Sequence, residues 1–167
     1  MNKEILRKYL EIKSIKDLRV SKHPGKEYSI SLINKNEFQL NKFLYKQIGK
    51  KYRWIDRLEW TDQQWINYIS NKNLRSFVLK NNEDIVGYFE LIIHYNENEI
   101  EIAYFGILED YFGKKLGGYL LSEAIKKSFL LGVNRIWLHT CSLDHENALK
   151  NYLSRGMTIF KVESLRL

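Results

Sequence analysis

The residues best suited to chemistry lie in the segment 111–121, whose sequence is YFGKKLGGYLL. A glycine-containing turn that opens a helix leaves several backbone N–H groups without partners inside the helix, and the helix dipole adds about half a positive charge there. Such a site favours phosphate oxygens. Glycines let a pyrophosphate approach the backbone and lysines add positive charge, and the segment contains Gly113, Lys114, Lys115, Gly117 and Gly118.

The spacing of this segment matches neither GxGxxG of dinucleotide folds nor the Gly-Lys-Ser/Thr of NTPase loops. Taken alone, its glycines serve close packing of a helix on a sheet equally well. A metal centre is not expected, because His23, His94 and His145 lack the spacing of metal ligands. The segment therefore predicts an anion site whose ligand has to be identified by other residues.

The elements that position this segment follow from the period of the apolar residues. Before it, apolar positions predict an amphipathic N-terminal helix over 3–13, a strand over 27–33 and a helix over 36–48. A second helix is expected to begin at Thr61 and Asp62, because Thr61 is a good N-cap and Trp65, Ile66 and Ile69 recur at helical spacing.

The middle of the chain changes to residues typical of strands. Branched and aromatic residues separated by polar turns predict an antiparallel meander over 75–81, 84–95 and 99–108. A helix over 116–129, closed by Gly132, and a strand over 135–140 follow, so that a right-handed crossover should make the strands 99–108 and 135–140 parallel.

The C-terminal part predicts one more helix and one more strand. Asp144 is placed to cap a helix that bears Ala148, Leu149, Tyr152 and Leu153, and Gly156 is placed to end it. The sequence MTIFKVESL then alternates as a last strand. The class is mixed α and β with one central sheet.

Composition limits the classes of protein that this chain can belong to. It has 167 residues, 44% of them hydrophobic and 28% charged, which is typical of one globular domain and excludes disorder as the main state. No apolar run approaches a membrane span and no secretory signal is visible, so we expect a cytoplasmic protein without membrane contact. The single Cys141 cannot form an internal disulfide. The formal charge of +7 fits nucleic acid, an anionic membrane or a phosphorylated small molecule.

In their order along the chain, these motifs resemble the GNAT superfamily of acyl-CoA-dependent N-acetyltransferases over about residues 74–165. EIEIAYFGILEDYFGKKLGGYLLSEAI resembles the family's central strand, pyrophosphate loop and following helix, and DHENALKNYLSRGM resembles its later helix. RWIDRLEW and GYFEL resemble one subgroup of bacterial members. The resemblance implies an α/β (α+β) fold, with a central mixed, mostly antiparallel sheet, splayed parallel strands 99–108 and 135–140, and helices on both faces.

The resemblance also implies an organisation and an activity. We expect a single acetyltransferase domain, with an N-terminal helix and linker in 1–26, acceptor-side helices in 27–73 and an acetyl-CoA-binding core in 74–167. Its reaction would move an acetyl group from acetyl-CoA to a primary amine by direct attack in a ternary complex. The partners expected are therefore acetyl-CoA and an amine-bearing acceptor, with no nucleic acid, in a monomer or homodimer.

The family places acetyl-CoA between the two splayed strands. Main-chain groups of Phe105 and Ile107 would pair with the pantetheine arm, and an N–H near Phe105 would bind the thioester oxygen. The residues implied in diphosphate binding form the loop and the first turn of the helix: Gly113, Lys114, Lys115, Leu116, Gly117 and Gly118.

The loop departs from the family pattern at two positions. Phe112 stands where the family has Arg or Gln, and Lys115 replaces the first glycine, while Gly117 is in register. Lys115 is compatible with binding if its φ is an ordinary helical one, and a left-handed φ would weaken cofactor affinity. The family's Asn before the helix tyrosine is also absent, and Asn147 is the substitute.

Two residues match the catalytic positions of the family. Tyr152 matches the acid that protonates the departing thiolate, and its alternative role is a core residue beside Ala148 and Leu149. Glu101 matches the strand glutamate that accepts the amine proton, and its alternative role is an outward-facing strand residue. Glu99, Glu90 or water are the other candidate bases. Cys141 and His139 are not expected to act as nucleophile and base, because direct transfer needs no acyl-enzyme.

Other functions stay open at this point. The aromatic residues Tyr52, Trp54, Trp60 and Trp65 either line an acceptor pocket or, as we predict, belong to the core. One alternative keeps the fold but loses catalysis and gives a CoA-binding or sensing protein. The other is a basic nucleic-acid-binding module, favoured by the charge and by KKYRWIDRLEW but lacking a recognised signature.

Overall fold

The computed structural model describes residues 4–166 and shows one seven-stranded sheet with helices on both faces. The strands are β1 (Glu4–Ile12), β2 (Tyr28–Leu32), β3 (Leu74–Asn81), β4 (Asp84–His94), β5 (Glu99–Ile107), β6 (Arg135–Cys141) and β7 (Thr158–Arg166). The helices are α1 (Phe38–Gly49), α2 (Asp62–Ile69), α3 (Leu116–Leu130) and α4 (Ala148–Ser154). The strand order is β2-β3-β4-β5-β6-β1-β7. Only β5 and β6 pair in parallel within these residues, so the predicted mixed, mostly antiparallel sheet is confirmed.

The two faces of the sheet carry separate cores. On one face, α3 buries Leu116, Leu120, Leu121, Ala124 and Ile125 against β4, β5, β6 and β1, as its sequence pattern predicts. On the other face, α1 covers β3 and β4 through Leu44 and Ile48. The helices of this second face, α1 and α2, make their main contacts with β3, β4 and β5.

The N-terminal helix predicted over 3–13 is wrong. Residues 4–12 form β1, which lies between β6 and β7 and pairs antiparallel with both, and residue 3 lies outside the described residues. Leu10 and Ile12 turn into the core under α3, and Tyr9 turns to the opposite face. A run of only nine residues is too short for its apolar positions to distinguish the helical period from the strand period. Pairing with β6 and β7 outweighs the helix propensity of its Glu, Leu and Lys residues.

The meander β3-β4-β5 has a bulge beside the junction with β6. Glu90 pairs with Tyr104 and Leu91 pairs with Ile102, so Ala103 is the extra residue on β5. The parallel pairing of β5 with β6 covers only residues 99–101 against 135–137. Beyond these pairs the two strands separate, as predicted for splayed strands.

Capping agrees with the sequence at α2 and differs at α4. Thr61 and Gln64 form a capping box at the start of α2. Asp144 does not cap α4, because its carboxylate accepts hydrogen bonds from the Thr140 hydroxyl and the Cys141 N–H instead. The turn after β6 therefore uses Asp144, and α4 begins later, after Asn147.

Candidate active site

A cleft of about 920 Å³ opens where β5 and β6 separate. It extends from the loop before α3 to the segment 48–57 after α1, and it is lined by residues of β5, β6, α4 and β1. The cleft thus joins the two faces of the sheet. The site residues predicted from the sequence that line it are Glu101, Phe105, Ile107, Gly113, Lys115, Leu116, Gly117, Gly118, Asn147 and Tyr152.

The backbone of β5 presents hydrogen-bonding groups to this gap. The Leu108 N–H donates to the Val86 carbonyl at 2.8 Å, and the register pairs Gly106 with Tyr88. Because an antiparallel ladder alternates, the N–H and C=O groups of Phe105 and Ile107 point away from β4 and into the gap. These are the main-chain groups expected to pair with a pantetheine arm.

The loop before α3 leaves its backbone donors free. Within residues 4–166, the N–H groups from Gly113 to Gly118 make no hydrogen bond outside the helix itself. Lys115 adopts φ 60° and ψ 22°, so the condition of a helical φ is not met, and Gly113 also has a left-handed φ of 79°. Lys115, in its left-handed conformation, lies directly before α3. Consecutive N–H groups at such a turn converge on one side, which makes the turn suited to bind an anion.

Arg155 lies against the N-terminus of α3. A Cβ placed on Gly118 would lie 2.8 Å from the Ser21 hydroxyl oxygen and 3.1 Å from Nη1 of Arg155, so a glycine at 118 lets both side chains approach the helix. Arg155 lines the cleft, its Nε is buried without a hydrogen-bond partner, and it forms no ion pair with a described carboxylate. A guanidinium at the positive end of a helix is unfavourable unless an anion is bound there.

Tyr152 belongs both to the core and to the cleft. It is 7% exposed and packs with the α3 core, and its ring lies edge-on to Phe105 at a centroid distance of 6.3 Å. Burial, and to a lesser extent the Asp144 carboxylate, raises the pKa of Tyr152 well above that of an ordinary tyrosine. The phenol is therefore protonated at neutral pH and is able to donate a hydrogen bond.

Glu101 lies on the face of β5 opposite α3. Its neighbours Ile100 and Ile102 are buried under α3, and its carboxylate faces the cleft with its side chain 19% exposed. Nε2 of His94 lies 3.4 Å from this carboxylate, and the His94 ring stacks on Trp137. The cleft therefore contains a partly exposed carboxylate, and the His94 imidazole lies beside this carboxylate without lining the cleft.

The reserve carboxylates are engaged elsewhere. Glu99 forms an ion pair with Arg135, which also binds Glu11. Glu90 is fully buried, and both of its oxygens lie 3.1 Å from Nη1 of Arg57. Neither Glu99 nor Glu90 lines the cleft. Burial raises the pKa of Glu90 against the opposing effect of Arg57.

Arg57 is enclosed by aromatic rings as well as by Glu90. Its guanidinium lies 4.1 Å from the ring centroid of Tyr68 and 4.3 Å from that of Tyr104, and Nη2 donates to the Tyr68 hydroxyl at 2.7 Å. Burial lowers the pKa of Arg57, but the Glu90 carboxylate, Tyr68 and Tyr104 together outweigh it, and the net pKa is raised. The guanidinium is therefore a permanent charge that joins the segment 50–61 to β4.

The predicted aromatic core residues divide between two roles. Trp65 is fully buried, and Trp60 packs against it at 5.0 Å. Tyr52 and Trp54 line the cleft, although Trp54 also packs on the core beneath α1. The prediction of a core is correct for the residues nearest α2 and wrong for Tyr52.

Sequence reasoning missed several basic or polar residues that the fold brings to the cleft from distant segments, among them Arg7, Ser21, Arg57 and Arg155. Arg57 had a weak signal, since it lies among aromatic residues in YRWIDRLEW. The others carry no local signature.

Among residues 4–166 no group of three His, Cys, Asp or Glu side chains is placed to hold a metal ion. Over the same part of the chain, no helix has the length and apolar character needed to cross a membrane.

Comparison with known proteins identifies the family. The acetyltransferase (GNAT) family matches residues 38–157, so the chain belongs to this family. The match leaves β1, β2 and β7 outside it. A comparison with curated proteins gives no match.

Solved structures share the fold at low sequence identity. A GCN5-related N-acetyltransferase from Sphaerobacter thermophilus aligns with a TM-score of 0.75 at 14% identity, over 99% of this chain and 52% of its own. An aminoglycoside acetyltransferase from an uncultured soil metagenomic sample, in complex with trehalose, aligns with a TM-score of 0.67 at 14% identity, over 80% of this chain and 90% of its own. PaiA N-acetyltransferase from Thermoplasma acidophilum, in complex with coenzyme A, aligns with a TM-score of 0.57 at 18% identity, over 75% and 85%.

Several of the similar structures are longer than this chain. It spans 61% of a functionally unknown conserved protein from Staphylococcus epidermidis and about half of the Sphaerobacter protein. These likenesses concern the fold, and the acetyltransferase family follows from the match over residues 38–157.

Proposed function

We propose that this GNAT protein transfers an acetyl group from acetyl-CoA to a primary amine in a ternary complex. The observation that carries the proposal is the set of free N–H groups at 113–118, placed at the mouth of the gap between β5 and β6. The complex of a similar acetyltransferase with coenzyme A supports acetyl-CoA as the donor.

The donor would be held by backbone and basic groups of the cleft. The loop N–H groups and the positive end of α3 would bind the diphosphate, and Arg155 with Ser21 would supply further contacts to a phosphate. Asn147 is exposed at the N-cap of α4 and lines the same part of the cleft, where it would contact the pantetheine arm. Phe105 and Ile107 would pair with that arm through their main chain.

Glu101 would receive the proton of the attacking amine. A lysine-type amine of pKa about 10.4 requires about 4.6 kcal/mol to become neutral at pH 7, so a base has most effect on such acceptors. His94, in contact with Glu101, would pass the proton towards solvent because both side chains are partly exposed.

Tyr152 would stabilise the leaving group. As the C–S bond breaks, the sulfur of CoA gains negative charge, and the protonated phenol would donate a hydrogen bond to that sulfur. The raised pKa of Tyr152 keeps this donor protonated across the neutral range.

The test is an assay of thiol release from acetyl-CoA across polyamines, aminoglycosides, amino acids and peptide N-termini. We expect at least one amine to release CoA, and Tyr152→Phe to lower kcat by about 100-fold with the Kd for acetyl-CoA unchanged. Tyr88→Phe is the matched control, because Tyr88 is buried with an unpartnered hydroxyl outside the cleft, and it should leave kcat unchanged.

Two results would contradict the proposal. Full turnover by Tyr152→Phe would remove the assigned acid. Saturable acetyl-CoA binding without thiol release from any amine would make the chain a CoA-binding protein without transferase activity.

A further inference from the structure

The strand β1 brings an arginine to the end of the cleft that contains Glu101. We call this the acceptor end, because the attacking amine would bind there. Arg7 pairs with Cys141 of β6, which places its side chain on the same face as Tyr9 and His139. This is the face opposite α3, because Leu10, Ile136 and Leu138 fill the core on the α3 side. Glu101 lies on this same face and lines the same cleft as Arg7.

Arg7 has no partner within residues 4–166. Its Nε is buried without a hydrogen bond, and no described carboxylate lies within 4.0 Å of its nitrogens. Two other arginines differ, since the buried Arg57 pairs with Glu90 and the half-buried Arg135 of β6 pairs with Glu11 and Glu99. A guanidinium that lacks these contacts is suited to bind a ligand.

The acidic groups around Arg7 are already bound to other residues. Glu163 is its cross-strand neighbour on β7, but the Glu163 carboxylate accepts from the Tyr9 hydroxyl at 3.0 Å and pairs with Lys161 at 2.7 Å. Asp144 is held by Thr140 and Cys141. Arg7 is thus left with positive charge facing the cleft.

The acceptor end contains further positive charge. Arg53 lines the cleft from the segment after α1, with an exposed side chain and no ion pair to a described residue. The chain as a whole carries a formal charge of +7. Asp56 and Glu101 also line the cleft and would attract an amine, while Arg7 and Arg53 would attract a negatively charged group on the same acceptor.

We propose that the acceptor is an amine that also carries a carboxylate or phosphate group, and that Arg7 binds this anionic group while the amine faces Glu101. The inference rests on the proposed transferase function and adds to it the class of acceptor. It separates this chain from the aminoglycoside acetyltransferases that share its fold, whose acceptors are polycations. The site needs β1, which lies outside the part of the chain matched by the family.

The experiment compares matched amines with and without an anionic group. The pairs are γ-aminobutyrate and butylamine, lysine and cadaverine, and phosphoethanolamine and ethanolamine, with spermidine and an aminoglycoside as polycations. Wild-type kcat/KM should be higher for the anionic member of at least one pair than for its partner and for both polycations. The carboxylate and phosphate pairs show which of the two groups the site takes.

Variants assign the effect to Arg7. Arg7→Gln should lower kcat/KM for the preferred acceptor by roughly tenfold to hundredfold, mainly through KM, and leave the Kd for acetyl-CoA unchanged. Arg7→Lys should restore part of the loss. Lys8→Gln is the matched control, because Lys8 is adjacent on β1 and pairs with Thr140 on the other face. Arg155→Gln should show the reverse pattern, with weaker acetyl-CoA binding and an unchanged KM for the acceptor.

The inference is overturned if cadaverine, spermidine or the aminoglycoside is the best acceptor, if Arg7→Gln matches wild type, or if Arg7→Gln weakens acetyl-CoA binding instead. If no amine releases thiol, the transferase proposal fails and binding decides the inference. Saturable binding of an anionic amine to the CoA-loaded protein, lost in Arg7→Gln, would then support it, and absence of such binding would overturn it.

Discussion

Lys115 is the residue at which this loop differs most from a glycine-rich phosphate loop. Its left-handed conformation costs about 1–2 kcal/mol for a residue with a Cβ. The fold accepts this cost at the position where the chain must turn into α3, with Gly113 also in a left-handed conformation. A strained residue at such a place is consistent with a turn that is shaped for a ligand.

The strain at Lys115 predicts an order of stability among its variants. Lys115→Gly should be more stable to unfolding than Lys115→Ala by about 1 kcal/mol, because both lose the charge and only alanine keeps the strain. Urea unfolding measures the difference. Lys115→Gly should also bind acetyl-CoA more tightly than Lys115→Ala in calorimetric titration. Equal stability of the two variants would show that the turn relaxes to another conformation.

Residues of this loop were predictable from the sequence because their chemistry is local. The glycines, the lysines and the following helix lie within about a dozen consecutive residues. Arg7 and Arg155 were not predictable, since each reaches the cleft through the pairing or packing of elements that are far apart in the chain. The φ of Lys115 was also not predictable from the sequence, because it depends on the path that the chain takes between β5 and α3.

At the scale of elements, the Arg57–Glu90 pair helps to fix the segment at the end of the cleft that we propose binds the acceptor. The segment 50–61 has no helix or strand, yet its residues Tyr52, Arg53, Trp54 and Asp56 line the cleft. Arg57 ties it to Glu90 on β4 and to Tyr68 on α2. The segment 50–61, which would form the acceptor wall of the cleft, is therefore anchored in part by a buried ion pair.

Breaking this pair should destabilise the protein and displace the acceptor wall. Arg57→Met leaves a buried carboxylate without a partner and should cost about 3–5 kcal/mol in unfolding free energy. The double variant Arg57→Met with Glu90→Leu should recover most of that stability without recovering the acceptor KM. Equal losses in the single and double variants, measured by urea unfolding, would exclude an unpaired Glu90 as the cause.

The order of the strands was only partly predictable. The meander, the crossover helix α3 and the parallel pair followed from local periodicity and from the handedness of crossovers. The place of β1 did not, because its nine residues fit a helix as well as a strand when considered alone. Its insertion between β6 and β7 is set by cross-strand contacts such as those of Tyr9 with Trp137 and Phe160.

At the scale of the whole molecule, many tyrosines are buried around the sheet. Burial is the largest cause that raises the pKa of six of them: Tyr45, Tyr68, Tyr88, Tyr104, Tyr119 and Tyr152. In the unfolded chain these phenols ionise near pH 10. The native state holds their protons to higher pH than the unfolded state does.

This difference predicts alkaline unfolding. Above pH of about 10 the unfolded state binds fewer protons than the native state, so the free energy of unfolding falls as pH rises. Urea unfolding between pH 7 and pH 11 should show a plateau followed by this fall. The tyrosinate absorbance of these six buried phenols should appear together with unfolding and not before it. Ionisation of most tyrosines in the folded protein would contradict the burial described for them.

The most direct test of the whole account is a crystal structure of the protein with acetyl-CoA. We expect the diphosphate oxygens to accept hydrogen bonds from N–H groups between Gly113 and Gly118, and the pantetheine arm to lie between β5 and β6 beside Phe105 and Ile107. A diphosphate bound elsewhere, or a gap closed by continued pairing of β5 with β6, would contradict the account.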